Sequence, residues 1–499
     1  MNKKILFIIA ALSFMNISQA ASYGSSKLVT YVSKSNFMTV GAQTLAKTFN
    51  ITSPGIYVLT EDITSVSTTR TILINSNNVT VDLNGYTITG KTDSSMNGIE
   101  VAQDMNNIEI KNGTIYSVGK SGILVNQNVH NIKISNVECN SCNINNVATT
   151  GGITLIGAVT PNEIAHCVID NCLTFSTVPQ TQNAYGIYAN EAKYLTINNC
   201  RAENVRNIGN TFSSYGIYIK SSEYPIITNT SAYLSEGDTT AAGFYLLTCT
   251  SAQLINCESS GTNAADVVLG AGYGYYFEDT NNSLIDNCQS INNGGNGSVS
   301  GFYVSSCVNN RFLHCTANGN QTRTTSATGN ATGFETTRAA SKGATIACIF
   351  KNCTAMGQTA LGSITNSAGF LLGSDTRFCI IEDSLSFGNN GMSGSAYGIY
   401  LSGASLLRCV IKGNNCFSNT AGSTSSVFGI HEDEVIANTY TFFFENTCAG
   451  NINTNTTPVG TELSSNKYTV PTYGTDLDTY DSTQSNTKGW NFIAASAHV

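Results

Sequence analysis

The sequence predicts an all-β solenoid, a single-stranded right-handed parallel β-helix of about twelve coils with a cap at each end. Three observations predict it. A Gly-Ile or Gly-Phe mark recurs at a near-constant interval. An Asn-Cys mark follows the Gly, at one fixed distance in five successive repeats. The composition, 11% charged against roughly 25% in an average soluble protein, with 45 Gly and only 6 Pro, suits short strands joined by tight turns better than long amphipathic helices.

The Gly mark runs through Gly98-Ile99, Gly122-Ile123, Gly152-Ile153, Gly186-Ile187, Gly216-Ile217 and Gly243-Phe244. It continues through Gly274-Tyr275, Gly301-Phe302, Gly333-Phe334, Gly369-Phe370 and Gly398-Ile399 to Gly429-Ile430. Twelve occurrences between Gly98 and Gly429 give a mean period of about thirty, within the range of solenoid repeats. The second mark reads Asn199-Cys200, Asn229-Thr230, Asn256-Cys257, Asn287-Cys288, His314-Cys315, Asn352-Cys353, Asp383-Ser384 and Asn415-Cys416. In the five repeats from Gly186 to Gly301 the two marks keep one constant spacing, that of Gly186 to Asn199 and of Gly301 to His314. A segment of fixed length stacks in register, and the variable remainder forms a loop on one side. Between the marks, runs such as Leu195-Thr196-Ile197 and Ile132-Lys133-Ile134 alternate with a period of two, which is strand and not helix. One repeat cannot bury its own apolar face, so repeats stack, and equivalent residues lie about 4.8 Å apart.

Stacking gives each mark a role. Asn over Asn forms an amide ladder. The next residue points inward, where Cys172, Cys200, Cys257, Cys288, Cys315, Cys353 and Cys416 form a column of buried thiols, with Thr230 and Ser384 in the same column. Pairs within one coil, such as Cys249/Cys257 and Cys307/Cys315, are alternative disulfide candidates in an exported chain. Cys139-x-x-Cys142 has no second pair and no nearby His, so it is a weak zinc signal.

The ends differ from the repeats. Lys3 and Lys4, the apolar stretch Ile5 to Ile17 and Ser18-Gln19-Ala20 read as a signal peptide over 1–20, which implies a secreted or cell-surface protein. Residues 21–50 are expected to cap the N-terminal coil, 51–450 to form the helix, and 451–499, which hold Trp490, to form a C-terminal cap or tail. Loss of Lys3 and Lys4 takes the net charge from −8 to −10. An acidic chain without a basic cluster does not suit nucleic acid, and no later segment is apolar enough for membrane insertion.

The opening coils, Gly55-Ile56-Tyr57-Val58-Leu59-Thr60-Glu61-Asp62-Ile63 and Asn78-Val79-Thr80-Val81-Asp82-Leu83-Asn84-Gly85, resemble those of the pectin-lyase-like right-handed parallel β-helix superfamily. The resemblance covers about residues 50–450 and implies the fold; that fold carries lyases, glycosidases, tailspikes and adhesins. The acidic blocks of polygalacturonase-like glycosidases are missing. Asn229-Thr230-Ser231, Asn446-Thr447-Cys448 and Gly429-Ile430-His431 stand nearest to them, and there is no Asp-Asp pair. No acidic column suited to the Ca²⁺ of pectate lyases is found either.

If the Ile or Phe after each Gly faces in, the following residue faces out. That outward column reads Tyr188, Tyr218, Tyr245, Tyr276, Tyr303, Glu335, Leu371, Tyr400 and His431. The tyrosines form either a strip for an extended polysaccharide or cell-surface glycan, with rings stacked on sugar C–H groups, or a ladder stabilised by neighbour stacking. Two positions further the same face carries Asn190, Lys220, Leu247, Glu278, Ser305 and Asp433. Glu278 and Glu335 are the carboxylates to test as a catalytic acid/base pair, about 10 Å apart along the axis. His431-Glu432-Asp433-Glu434 reads as a rim loop, since alternate residues point to opposite faces. No metal or cofactor is expected. The expected function is an exported polysaccharide- or cell-surface-binding protein, with a lyase or hydrolase, or a structural rod or adhesin that could be trimeric, as the alternatives.

Overall fold

The computed structural model describes residues 28–37, 47–91, 95–143, 150–158, 163–179, 182–207, 211–264, 270–323, 329–338, 342–362, 365–392, 394–402, 406–422, 426–432, 441–449, 451–453, 468–471 and 477–480. The expected leader (1–20), Asp433, Glu434 and Trp490 lie outside them. Every strand pairing among the described residues between 29 and 453 is parallel. Each coil contributes one strand to sheet 2, which has 14 strands from Phe49–Ile51 to Val427–Glu432 among the described residues. Two rungs, Phe49–Ile51 and Arg70–Ile74, precede the first marked glycine. Sheet 1 takes two short strands per coil, such as Thr196–Asn198 and Arg201–Glu203, bent at Asn199-Cys200. From Glu236–Gly237 onward a short third sheet of eight strands closes the coil.

The glycines lie in one straight file. A Cβ on any of them from Gly98 to Gly369 would sit 2.5–2.9 Å from the carbonyl oxygen of the equivalent glycine in the next coil, and one on Gly398 would meet that of Gly429. Real side chains do not approach a backbone oxygen so closely, so the repeat admits only Gly there. Behind the file the core stacks: the rings of Phe244, Tyr275, Phe302, Phe334 and Phe370 lie parallel at 4.6–4.8 Å. Tyr275 is fully buried and its hydroxyl has no hydrogen-bond partner among the described residues.

The bend between the two strands of sheet 1 needs a left-handed residue, and Asn tolerates that conformation best after Gly. Asn112, Asn136, Asn171, Asn199, Asn229, Asn256 and Asn287 have φ of 50–60°. Their amides form the expected ladder: Asn136 donates to Asn112 at 3.1 Å, Asn171 to Asn136 at 2.7 Å, Asn256 to Asn229 at 3.2 Å and Asn287 to Asn256 at 2.8 Å. Asn229 departs and donates to Asn198 Oδ1.

The inward neighbour has a definite task. Cys200 Sγ donates to Ile169 O, Cys257 to Ile227 O, Cys315 to Ile285 O and Cys353 to Phe312 O, at 3.4–3.5 Å. Each bond reaches a carbonyl of the preceding coil. Thr230 and Ser384 supply hydroxyl donors at the same position, to Thr228 O and Glu382 O. The position therefore requires a small donor rather than sulfur chemistry, and buried backbone polar groups are satisfied. All sixteen cysteines are buried and free, including Cys249, Cys257, Cys307, Cys315, Cys139 and Cys142.

One expectation is corrected. Cys416 pairs with Ser386, not with Ser384, so Asn415-Cys416 stands two residues beyond the turn mark. In that coil Gly413 takes the left-handed turn at φ 66°, and Asn414 fills the inward donor position by giving its amide to Ile381 O at 2.9 Å.

At the N-terminus, Val29–Val32 adds a parallel strand to Gly55–Leu59, and Phe37 is completely buried beside Phe49. Tyr468–Pro471 and Leu477–Tyr480 form an antiparallel hairpin. No helix among the described residues is long and apolar enough to cross a membrane.

Candidate functional site

The outer face of sheet 2 is built by the residue before each Gly and the residue after each Ile or Phe. Ile187 and Ala189 are in the core, so Tyr188 between them faces out. Registers Tyr188↔Tyr218, Tyr218↔Tyr245, Tyr245↔Tyr276 and Tyr276↔Tyr303 place the five expected tyrosines in one file, followed by Glu335, Leu371, Tyr400 and His431. A second file, Tyr185, Tyr215, Ala242 and Tyr273, interleaves with it.

The two files stack on each other. Tyr185 lies 5.0 Å from Tyr188 and 5.5 Å from Tyr218, Tyr218 lies 4.8 Å from Tyr245, and Tyr245 lies 4.4 Å from Tyr276. Ring faces are therefore occupied by neighbouring rings, because the coil rise matches the thickness of an aromatic stack. Tyr188, Tyr218, Tyr245 and Tyr400 keep only 6–9% of their surface, while Tyr276 and Tyr303 are half-buried. The rings are not laid open for sugars to stack upon; ring edges and hydroxyls form the surface. Burial, the largest cause, pushes the hydroxyls of Tyr188 and Tyr215 up to about 12. It also raises Tyr245, with Tyr276 and Glu278 adding to the effect.

The carboxylates are set into this hydroxyl surface. Glu278 Oε2 accepts a hydrogen bond from Tyr245 Oη at 2.6 Å. Glu335 Oε2 accepts from Ser300 Oγ at 2.6 Å and Thr332 Oγ1 at 3.0 Å. Burial raises the Glu335 carboxyl above its ordinary value even though both hydroxyl bonds act to lower it. Glu278 pairs with Ser305 and Ser305 with Thr337, so Glu335 stands two coils on and two residues back. Their backbone positions are roughly 12 Å apart by strand geometry, wider than the roughly 6.5–9.5 Å of inverting glycosidases. Each carboxylate has its own hydroxyl partners, and the two share none.

Both ends of the face continue in register. Glu100 lies in the same file three coils before Tyr188, by way of Leu124 and Thr154, and is held by Arg70 at 2.7 Å and by Asn97 Nδ2 at 2.9 Å. Beside it Ala102, Gln103, Asn126, Gln127 and Ile156 complete a shallow cavity of about 420 Å³. At the other end His431 stacks on Phe428, Tyr397 and Tyr400 at 4.5–5.6 Å. Glu432, next to it, accepts from Thr441 Oγ1 at 2.8 Å. Among the described residues no group of three or more His, Cys, Asp or Glu could hold a metal ion.

The family model described as "right handed beta helix region" matches residues 185–376. The fold is a right-handed parallel β-helix. A search of curated proteins finds no match to this β-helix. Among solved structures, it resembles the periplasmic alginate epimerase AlgG at 10% identity, over 81% of this chain and 83% of that one, with a TM-score of 0.43. It also resembles a mannuronic acid specific polysaccharide family 6 lyase from human gut microbiota, at 9% identity over 84% and 86% of the two chains, TM-score 0.36. PfbA, a surface adhesin of Streptococcus pneumoniae, is a third, at 11% identity over 70% and 84%, TM-score 0.33.

Sequence reasoning missed the second tyrosine file and the Glu100 cavity. The signal for the file was present, since an aromatic residue precedes Gly186, Gly216 and Gly274. The cavity depends on residues from three coils that share no motif.

Proposed function

We propose that this β-helix is an exported protein that binds a polysaccharide or cell-surface glycan along the outer face of sheet 2. The glycan is held by hydrogen bonds to tyrosine hydroxyls and to Glu278 and Glu335, not by stacking on open rings. The observation that carries the reading is the Tyr245–Glu278 hydrogen bond within an in-register strip whose next two members, Tyr276 and Tyr303, remain partly open. A row of repeated donors and acceptors matches a polymer that repeats its own hydroxyls. Affinity electrophoresis in gels containing neutral or acidic polysaccharides tests it. Tyr276→Ala and Glu278→Gln should each reduce retardation while preserving the far-ultraviolet spectrum. Undiminished retardation in both variants would remove the sheet 2 face from consideration.

The raised carboxyl of Glu335 favours a second reading, in which this residue donates a proton to a bound polysaccharide. In that case Glu335→Gln abolishes product formation, assayed as new reducing ends and as unsaturated sugars, while retardation persists. Wild-type protein that retains a polysaccharide without altering it would discard the enzyme reading.

A further inference from the structure

A separate aromatic ridge lies outside the sheet 2 face. After a sheet 2 strand two residues three apart adopt a left-handed conformation, and in most coils the second is small or amide-bearing, as at Asn131, Ser251, Asn282 and Asn309. Three successive coils place rings there instead, His166 at φ 57°, Tyr194 at φ 55° and Tyr224 at φ 56°. Bulky side chains rarely adopt this conformation and Asn adopts it readily, so the rings are a costly choice for the turn itself. The three rings stack almost parallel, His166 on Tyr194 at 5.0 Å and 8°, and Tyr194 on Tyr224 at 5.2 Å and 6°. Unlike the sheet 2 tyrosines they stand in solvent, with Tyr194 50% and Tyr224 45% exposed.

The stack ends abruptly at Ser251, the equivalent residue of the next coil, and Asn282 follows it. One face of Tyr224 therefore looks over a serine into a gap about one coil, roughly 4.8 Å, tall. Glu223 precedes Tyr224 and the exposed Thr250 precedes Ser251, so a carboxylate and a hydroxyl flank the gap, while Lys193, one coil back on the other side of Tyr224, bridges Glu163 at 3.4 Å and Glu223 at 3.8 Å.

We propose that Tyr224, backed by Tyr194 and His166, is a second carbohydrate-contact site that takes one sugar ring on its open face. A pyranose has the required shape and chemistry, with a flat C–H face for the phenol ring and hydroxyls for Glu223 and Thr250. The opening is one ring thick, too narrow for a strand or helix. The site is independent of the sheet 2 face, although it borders it, and one polymer can reach both.

The test uses full-length protein in gels containing hydroxyethyl cellulose, xylan or alginate. Tyr224→Ala should weaken retardation on the order of tenfold, the larger end of what an aromatic stacking contact supplies. Ser251→Phe should do the same with Tyr224 intact, because the added ring fills the gap; the column already carries Phe378 at φ 56°. Tyr276→Ala separates the two sites, because it reports on the sheet 2 face alone. Unchanged retardation in folded Tyr224→Ala and Ser251→Phe overturns the ridge whatever Tyr276→Ala does. Wild-type protein retarded by none of the three polysaccharides overturns it as well.

Discussion

Replacing Gly186 by Ala probes the packing principle of the whole rod. An added Cβ would stand 2.5 Å from Gly216 O, 2.7 Å from Thr174 Oγ1 and 2.8 Å from Ala202 Cβ. A comfortable carbon–oxygen contact is about 0.7 Å or more longer, and the first obstacle is backbone belonging to the adjacent coil. Relief requires the coils to separate locally. The neighbouring inter-coil bond Ala184 N to Ser213 O, now 2.9 Å, would lengthen with them. Overpacking of this kind costs about 1–3 kcal/mol, and the rigid obstacle places Gly186→Ala near the upper end. The control is Gly343→Ala, whose new methyl would meet nothing within 4 Å and whose φ is not left-handed; it should be neutral or slightly stabilising. Urea unfolding followed by circular dichroism compares the two. Equal midpoints for Gly186→Ala and Gly343→Ala would refute the reasoning.

Other outcomes follow from the same structure. Tyr275→Phe removes a buried hydroxyl without a partner and matches Phe244 and Phe302 on either side, so it should raise stability by about 1 kcal/mol in the same urea experiment. Sixteen buried free thiols should be silent to a water-soluble thiol reagent in native protein and give sixteen equivalents in denaturant without reductant; a lower denatured count would reveal disulfides. The Glu335 carboxyl is raised in the folded state, so the folded state holds its proton more tightly than the unfolded chain. Its contribution is fully present below the ordinary carboxyl value of 4.5 and is lost as pH rises through the raised folded value. Glu335→Gln should therefore gain stability relative to wild type as pH increases from 4 to about 7, read as a widening gap between melting temperatures.

The glycine file was legible because its cause is local to the repeat: a carbonyl of the next coil occupies the space of a side chain, so the letter G is enforced eleven times, from Gly98 to Gly398. The Asn-Cys mark was legible for the same reason through Asp383-Ser384. It failed where Gly413-Asn414 took over the turn and Asn415-Cys416 stood close by as a decoy of identical composition. The tyrosine spacing was legible, but the fate of the rings was not. The repeat period shows which rings share a file, whereas ring burial depends on the interleaved Tyr185 file and on a rise that equals ring thickness. A third ladder was hidden altogether. Asn293, Asn320 and Gln358, then Asn389, Asn419 and Asn451, form fully or nearly fully buried amide runs with bonds of 2.8–2.9 Å. In a chain so rich in Asn, burial alone separates them from the exposed file.

Spin labels on the exposed asparagine file test the stacked register most directly. Asn136 and Asn352 are exposed and separated by seven coils, by way of Asn171, Asn199, Asn229, Asn256, Asn287 and His314. Cysteines at positions 136 and 352 should give an interlabel distance of about 34 Å by pulsed electron resonance at the strand spacing of a parallel sheet. A 136/256 pair, four coils apart, should give about 19 Å on the same spacing. Distances that fail to grow by about 4.8 Å per coil would contradict the shared axis on which the glycine file, the thiol column and both proposed glycan contacts depend.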